Sequence, residues 1–239
     1  MIVAQKSPFF NAWFSRHART RLCRTFQEVR VWGLDEARVA LQASPALIVA
    51  NHTSWWDPMI AIALSNHAFQ ADAYAMMDAE NLTRLPFFAK VGAFGVNLGE
   101  PADGARSIRY AAKLLDTANK AVWIFPQGEE RPADEPLSFR PGSSEIARVA
   151  KRAVVLPVAI RYVFAETEKP YAYVSIGAAF SASRDVNLGR EEQEARVQQE
   201  ISRIDEAVRR KDQTFTALFQ SRDSAWGKAA ERMLAWLTR

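Results

Sequence analysis

The stretch LIVANHTSWWDPMIAIAL, residues 47–64, decides how the rest of the chain is read. Leu47, Ile48, Val49 and Ala50 extend Ala46 into a short continuous apolar run, the pattern of a strand buried on both faces. The run stops at Asn51-His52, and Pro58 opens a helical pattern over 58–66, because proline suits the first helical position. His52 thus stands just past the carboxyl end of a strand, and Asp57 stands where a helix begins. The plain reading is structural: Asp57 caps the helix, and Asn51 with His52 makes a polar turn. The chemical reading is a dyad. An imidazole titrates near neutral pH and can take a proton from a hydroxyl, while a carboxylate on its other nitrogen fixes the tautomer and stabilises the imidazolium.

Outward from this stretch, apolar runs alternate with helical patterns. Strands are expected at 46–50, 73–77, 94–98, 121–125, 154–160 and 172–177, and helices at 58–66, 104–118, 143–152 and 190–211. The last helix carries Val197, Ile201, Ile204 and Val208 on one stripe. Such alternation predicts an α/β fold, a central mostly parallel or mixed sheet covered by helices. In an open sheet of this kind ligands gather at the carboxyl ends of the strands, which is where His52 falls. Pro157 inside its run predicts an edge strand, a bulge or an early strand end. The stretch PADEPLSFRP, residues 132–141, reads as a surface loop. The whole is expected as a single domain over 1–239, with an N-terminal helical segment (1–40), an α/β core (45–178) and C-terminal helices (190–239).

The net charge of +4 is unevenly placed. Residues 1–30 hold six cations (Lys6, Arg16, Arg19, Arg21, Arg24, Arg30) against Glu28, giving 6 − 1 = +5 and leaving −1 for the remainder. Within them, 9–30 reads as an amphipathic helix with Phe14, Ala18, Leu22, Phe26 and Val29 on one side and most arginines elsewhere. The stripe either packs on the core or, with Trp13 and the arginines exposed, lies on an anionic membrane surface; the two are compatible. The tail SAWGKAAERMLAWLTR places Trp226, Ala230, Met233 and Leu237 at helical spacing for a packing helix. A single cysteine, Cys23, excludes an internal disulfide and a cysteine-rich zinc site and fits a reducing compartment. No secretory signal and no membrane-spanning run is visible, so the expected location is cytoplasmic, peripheral to the inner face of a membrane. Nucleic acid is not an expected partner.

The residues NHTSWWD (51–57) resemble the Asn-His-x-Ser-x-x-Asp signature of the glycerolipid acyltransferases, the family of 1-acylglycerol-3-phosphate acyltransferase. Further blocks follow in that family's order: LPFFAKVGAFGVN (85–97), FPQGEER (125–131), the helix FRPGSSEIARVAKRA (139–153) and LPVAI (156–160). The resemblance implies acyl transfer without a covalent enzyme intermediate. His52 would be the general base and Asp57 its orienting carboxylate. The implied substrate-binding positions are Asn51, Ser54, Asn97, Phe125, Pro126, Gln127, Gly128, Glu129 and Arg131. Acyl-CoA or an acyl carrier protein would supply the thioester, a lipid hydroxyl would accept the acyl group, and neither cofactor nor metal is implied.

Two departures bear on the acceptor. The family's second block commonly ends in Asp/Asn-Arg, but Asn97 is followed by Leu98; the third is usually Glu-Gly-Thr-Arg, but here Gln127-Gly128-Glu129-Glu130 places Arg131 one position late. In the family those arginines are linked to the acceptor's phosphate, which a planar guanidinium fork suits. Their loss points to a sugar-, polyol- or amino-headed lipid or a hydroxylated isoprenoid. Lysophosphatidic acid stays as an alternative if Arg131, Arg106 or Arg109 reaches the same space. Gln127 is expected to meet a hydroxyl-rich substrate, and Gly128 to allow a tight turn. Ser54 is read as a supporting hydrogen-bonding group, His67 as a surface residue, and Trp55 and Trp56 as core or pocket wall. A serine hydrolase is disfavoured, since no Gly-x-Ser-x-Gly elbow exists. A non-catalytic lipid-binding protein on the same fold is the rival from another class.

Overall fold

A computed structural model describes residues 1–97 and 99–221. Leu98 and the expected tail helix lie outside the described residues. The fold is α/β: nine strands form one mostly parallel sheet with helices on both faces. Strand β1 is Glu28–Trp32, β2 Ala46–Ala50, β3 Asp72–Asp78, β4 Ala93–Val96 and β5 Lys120–Ile124. Strand β6 is Val154–Val163, β7 Tyr171–Ile176, β8 Phe180–Ser181 and β9 Thr216–Gln220. Their order is β4-β3-β5-β2-β6-β7-β1-β9, with β8 paired to β6. β4, β3, β5, β2 and β6 run parallel, β7 is antiparallel to β6, and β9 is antiparallel to β1.

The apolar side chains alternate across this sheet as the pleat demands. Ala46, Ile48 and Ala50 enter one core with Trp123, Leu156 and Ile160. That core is covered by helices α1 (Pro8–Thr25), α2 (Leu34–Ala43) and α3 (Asp57–Ala63). Leu47 and Val49 enter the other, with Val122 and Val155, under α5 (Pro101–Leu114), α6 (Gly142–Val149) and α7 (Val186–Arg210). A short α4 (Ala79–Arg84) follows β3. All of β2 is buried, which is why its sequence is apolar throughout.

Several elements depart from the sequence reading. The expected helix over 9–30 ends at Thr25, and Val29 is buried by a strand, not by a helical stripe. EVRVW alternates Val29 and Val31 inward, a period of two that a spacing of three and four across Leu22, Phe26 and Val29 disguises. The segment 1–40 is therefore not purely helical, and with β1 and β9 the sheet extends beyond 45–178 at both ends; β9 also falls within the expected C-terminal helices. The turn after β1 requires glycine: Gly33 has φ +77°, and a Cβ there would lie 2.0 Å from the Ile176 carbonyl oxygen.

Pro157 sits in β6 between β2 and β7, not at an edge. Its carbonyl accepts from Gly177 N (2.9 Å) on the flank where β8 pairing has ended at Val155 and β7 pairing begins at Val158. The missing N–H thus falls in a gap between two partner strands.

Candidate active site

The site is assembled where β2 and β5 end. Asn51 is buried, and its side-chain amide closes a two-way bond with the backbone of Ile160: Nδ2 donates to the carbonyl (2.9 Å), and Oδ1 accepts from the N–H (2.8 Å). This ties the end of β2 to β6 where the chain leaves the sheet. His52 N then donates to Gln127 Oε1 (2.7 Å), and Arg131 N donates to the His52 carbonyl (2.9 Å). The backbone of His52 is clamped from both sides by the loop after β5.

His52 Nδ1 lies 2.8 Å from Asp57 Oδ2. The same oxygen accepts from the N–H groups of Thr53 (2.7 Å) and Ser54 (3.0 Å), and Tyr162 donates its hydroxyl to Oδ1 (2.6 Å). Asp57 is wholly buried, and a buried carboxylate bearing these donors is an acceptor only. Nδ1 therefore carries a proton toward Asp57, and in the neutral ring Nε2 holds the lone pair. No hydrogen bond engages Nε2 among the described residues. Asp57 is not a helix cap: its oxygens fold back onto the preceding turn, and α3 has no side-chain cap. Burial, then the neighbouring Asp57 charge, pushes the Tyr162 phenol well above its usual range, so it remains a donor at all working pH. Phe125 stacks on the imidazole, ring centres 4.6 Å apart.

His52 opens into a cavity of about 500 Å³. Its more buried lining is mostly apolar, with Met59, Ile62, Met76, Phe88 and Trp123 beside Ser65 and Ser143; its more exposed lining, or rim, carries Arg84, Arg140, Asp78, Glu129 and Glu130. A more open concavity of about 570 Å³ between α1 and residues 66–67 contains neither His52 nor Asp57.

The structure brings His52, Phe125, Pro126, Gly128 and Glu129 to the cavity. Gln127 is buried and turned to the His52 backbone instead of lining the cavity. Gly128 has φ +80°, and a Cβ would meet Arg140 Nε at 2.9 Å, so glycine lets the arginine lie over the turn. Asn97 is engaged with Gly99 N and, through its own N–H, with Asp103, away from the cavity wall. Ser54 supports the turn: its Oγ accepts from Trp56 N (3.2 Å). Arg131 faces Glu129 and Glu135, and Arg106 bonds Asp103 (3.1 Å); neither they nor Arg109 line the cavity. Trp55 is half-exposed and forms one side of the wall. His67 is part-buried on the wall of that second concavity, its Nε2 3.1 Å from the Ser15 carbonyl. Among the described residues no three His, Cys, Asp or Glu side chains gather as a metal site.

Sequence reasoning missed Tyr162 and Arg140. For Tyr162 a signal existed: it shares the strand parity of Val158 and Ile160, which places it on the face of the sheet that carries Ala50 of β2.

The chain belongs to the acyltransferase family: residues 28–161 match the model of that family, which comprises the glycerolipid and 1-acylglycerol-3-phosphate acyltransferases. The protein is an enzyme of acyl transfer. No curated protein matches the chain.

Proposed function

We propose that the protein is an O-acyltransferase that moves a fatty acyl group from an acyl-CoA or acyl carrier protein thioester to a hydroxyl of a lipid acceptor. The observation that carries this reading is the His52–Asp57 contact of 2.8 Å, which leaves Nε2 unengaged at the mouth of an apolar cavity. Nε2 takes the proton of the acceptor hydroxyl as its oxygen attacks the thioester carbonyl carbon. The tetrahedral species collapses with cleavage of the C–S bond, the ester forms, and the departing thiolate takes the proton back from the imidazolium. Such base catalysis contributes about 10²–10⁴-fold. The apolar depth suits an acyl chain, at about 0.8 kcal/mol for each methylene buried.

The rim favours an uncharged, hydroxyl-rich or amino-headed acceptor over lysophosphatidic acid. Among the groups lining the cavity, Arg84 and Arg140 stand against Asp78, Glu129 and Glu130, so 2 − 3 = −1, with Glu129 also paired to Arg131 outside the wall. Lysophosphatidic acid remains the second reading because neither rim arginine has a carboxylate partner among the described residues.

Peripheral binding to an anionic membrane belongs to the same reading. No helix among the described residues is long and apolar enough to cross a membrane. Phe14, Ala18 and Leu22 of α1 pack on the core, whereas Phe9 and Trp13 are 85% and 53% exposed. Arg16, Arg19, Arg21 and Arg24 form no ion pair among the described residues.

The test is incubation with acyl-CoA or acyl carrier protein thioesters and a panel of lipid acceptors, with mass spectrometry of the product lipid. Free thiol released together with a new ester supports the proposal. Binding of acceptors without release of thiol makes the protein a lipid binder instead.

A further inference from the structure

We infer that Tyr162 is a positioning residue for the reaction, acting through Asp57 on the proton-accepting strength of His52. The inference rests on the proposed role of His52 and goes beyond the dyad. Asp57 Oδ1 points away from the imidazole, and the Tyr162 hydroxyl is the donor it meets, at 2.6 Å. The other three donors, His52 Nδ1 and two turn N–H groups, all fall on Oδ2. Tyr162 is thus the only group among the described residues that fixes the rotation of the carboxylate from its far side.

The hydroxyl is itself held. Its ring stacks on Phe26, centres 5.4 Å apart, and Phe26 meets Trp56 edge-on at 5.3 Å. Tyr162 therefore comes to Asp57 from β6 along a wall of rings, across 105 residues of chain. A phenol bonded to a carboxylate withdraws negative charge from it. The oxygen facing the imidazole is then a weaker partner for the imidazolium than an ungripped carboxylate would be. Tyr162 thereby keeps His52 from holding its proton too tightly while keeping Nε2 aimed into the cavity.

Tyr162→Phe removes the donor and keeps the ring against Phe26. The expected result is a loss of kcat of about 10- to 100-fold, the value of one hydrogen bond to a charged group. The acid limb of the kcat/KM profile should move up by about one unit, because an ungripped carboxylate favours the protonated imidazole more strongly. In an Asp57→Asn background the same change should cost little, because its route to the base is gone. The Nδ1 proton resonance of His52, followed by NMR, should shift in Tyr162→Phe without any need for turnover.

Wild-type kcat with an unmoved acid limb and an unmoved resonance would overturn the inference and leave Tyr162 a packing residue. So would an equal loss in the Asp57→Asn background. Normal turnover by His52→Ala would sink the reading of the base itself, a failure separable from this one because the resonance reads the effect of Tyr162 on the His52–Asp57 bond without turnover.

Discussion

The turn 51–57 and the loop 125–141 border the same cavity and are built in opposite ways. In the turn the polar groups are committed: buried Asn51 to Ile160, buried Asp57 to four donors, and part-buried Ser54 to the Trp56 N–H. The exceptions among the described residues are His52 Nε2, which faces the cavity, and Thr53 Oγ1, buried without a partner. In the loop, Gly128, Glu129, Glu130, Arg131 and Arg140 are exposed, and Arg131 with Glu129 and Glu135 satisfies its own charge. Buried, paired groups hold a fixed geometry because each lost bond leaves a costly orphan. Exposed charges contribute little to stability, so they are free to vary with the ligand. Under the proposed function the turn sets the reaction and the loop sets what is accepted.

The division breaks most sharply at His52. His52→Ala should lose at least about 10²-fold in turnover with little change in melting temperature, since its ring is stacked and partly exposed, not a core group. Near-normal turnover would sink the mechanism. Asp57→Asn differs in kind, because it touches both halves of the claim. It should also lose about 10²–10⁴-fold. It should in addition cost about 1–3 kcal/mol of stability, because the buried donors lose a charged acceptor. A stable but inactive variant would reduce the turn to a device for orientation; an active but unstable one would make it structural only.

A smaller effect is expected outside the cavity. If α1 docks on anionic lipid, neutralising Arg16, Arg19 and Arg24 should weaken vesicle co-sedimentation by about 10- to 100-fold, at about 1 kcal/mol each less screening. Raising salt should do the same. Binding unaffected by both leaves α1 only its packing role.

How much of this is legible in the sequence depends on where a residue's partner lies. β2 is legible to its limits because burial on both faces leaves an uninterrupted apolar signature. The approach of His52 to Asp57 is legible because the partners are local. Asp57 as a cap is not right, since the direction of its carboxylate is set by the turn N–H groups and Tyr162. The parity of β6 gives the face of Tyr162 but not its partner; that partner and the inward turn of Gln127 depend on β6 and β5 flanking β2, a tertiary fact no local pattern carries. β9 escapes for a different reason: it is an outer strand with Phe219 as its one buried residue, too little for a period to emerge. Arg140 escapes because its value lies in resting over Gly128, twelve residues away in the chain.

The finest test concerns the exposed loop and the acceptor. The rim holds three carboxylates and two arginines, and the arginine expected to rescue a phosphate site, Arg131, is spent on Glu129 and Glu135. Near the surface a single charge changes the interaction with a phosphate 5 Å away by about 1–3 kcal/mol, between the limits of bulk water and a protein surface. An uncharged or hydroxyl-rich acceptor should therefore be used better than lysophosphatidic acid. Glu130→Arg combined with Leu98→Arg, which restores the two family arginines, should shift the ratio of kcat/KM values toward lysophosphatidic acid by about tenfold or more. Of the two rim arginines without a carboxylate partner among the described residues, Arg84 and Arg140, the one that lies over the Gly128 turn is Arg140. If the wild-type enzyme prefers lysophosphatidic acid and Arg140→Ala abolishes that preference, the acceptor carries a phosphate after all. The loop would then have replaced the family's two arginines with one drawn from farther along the chain.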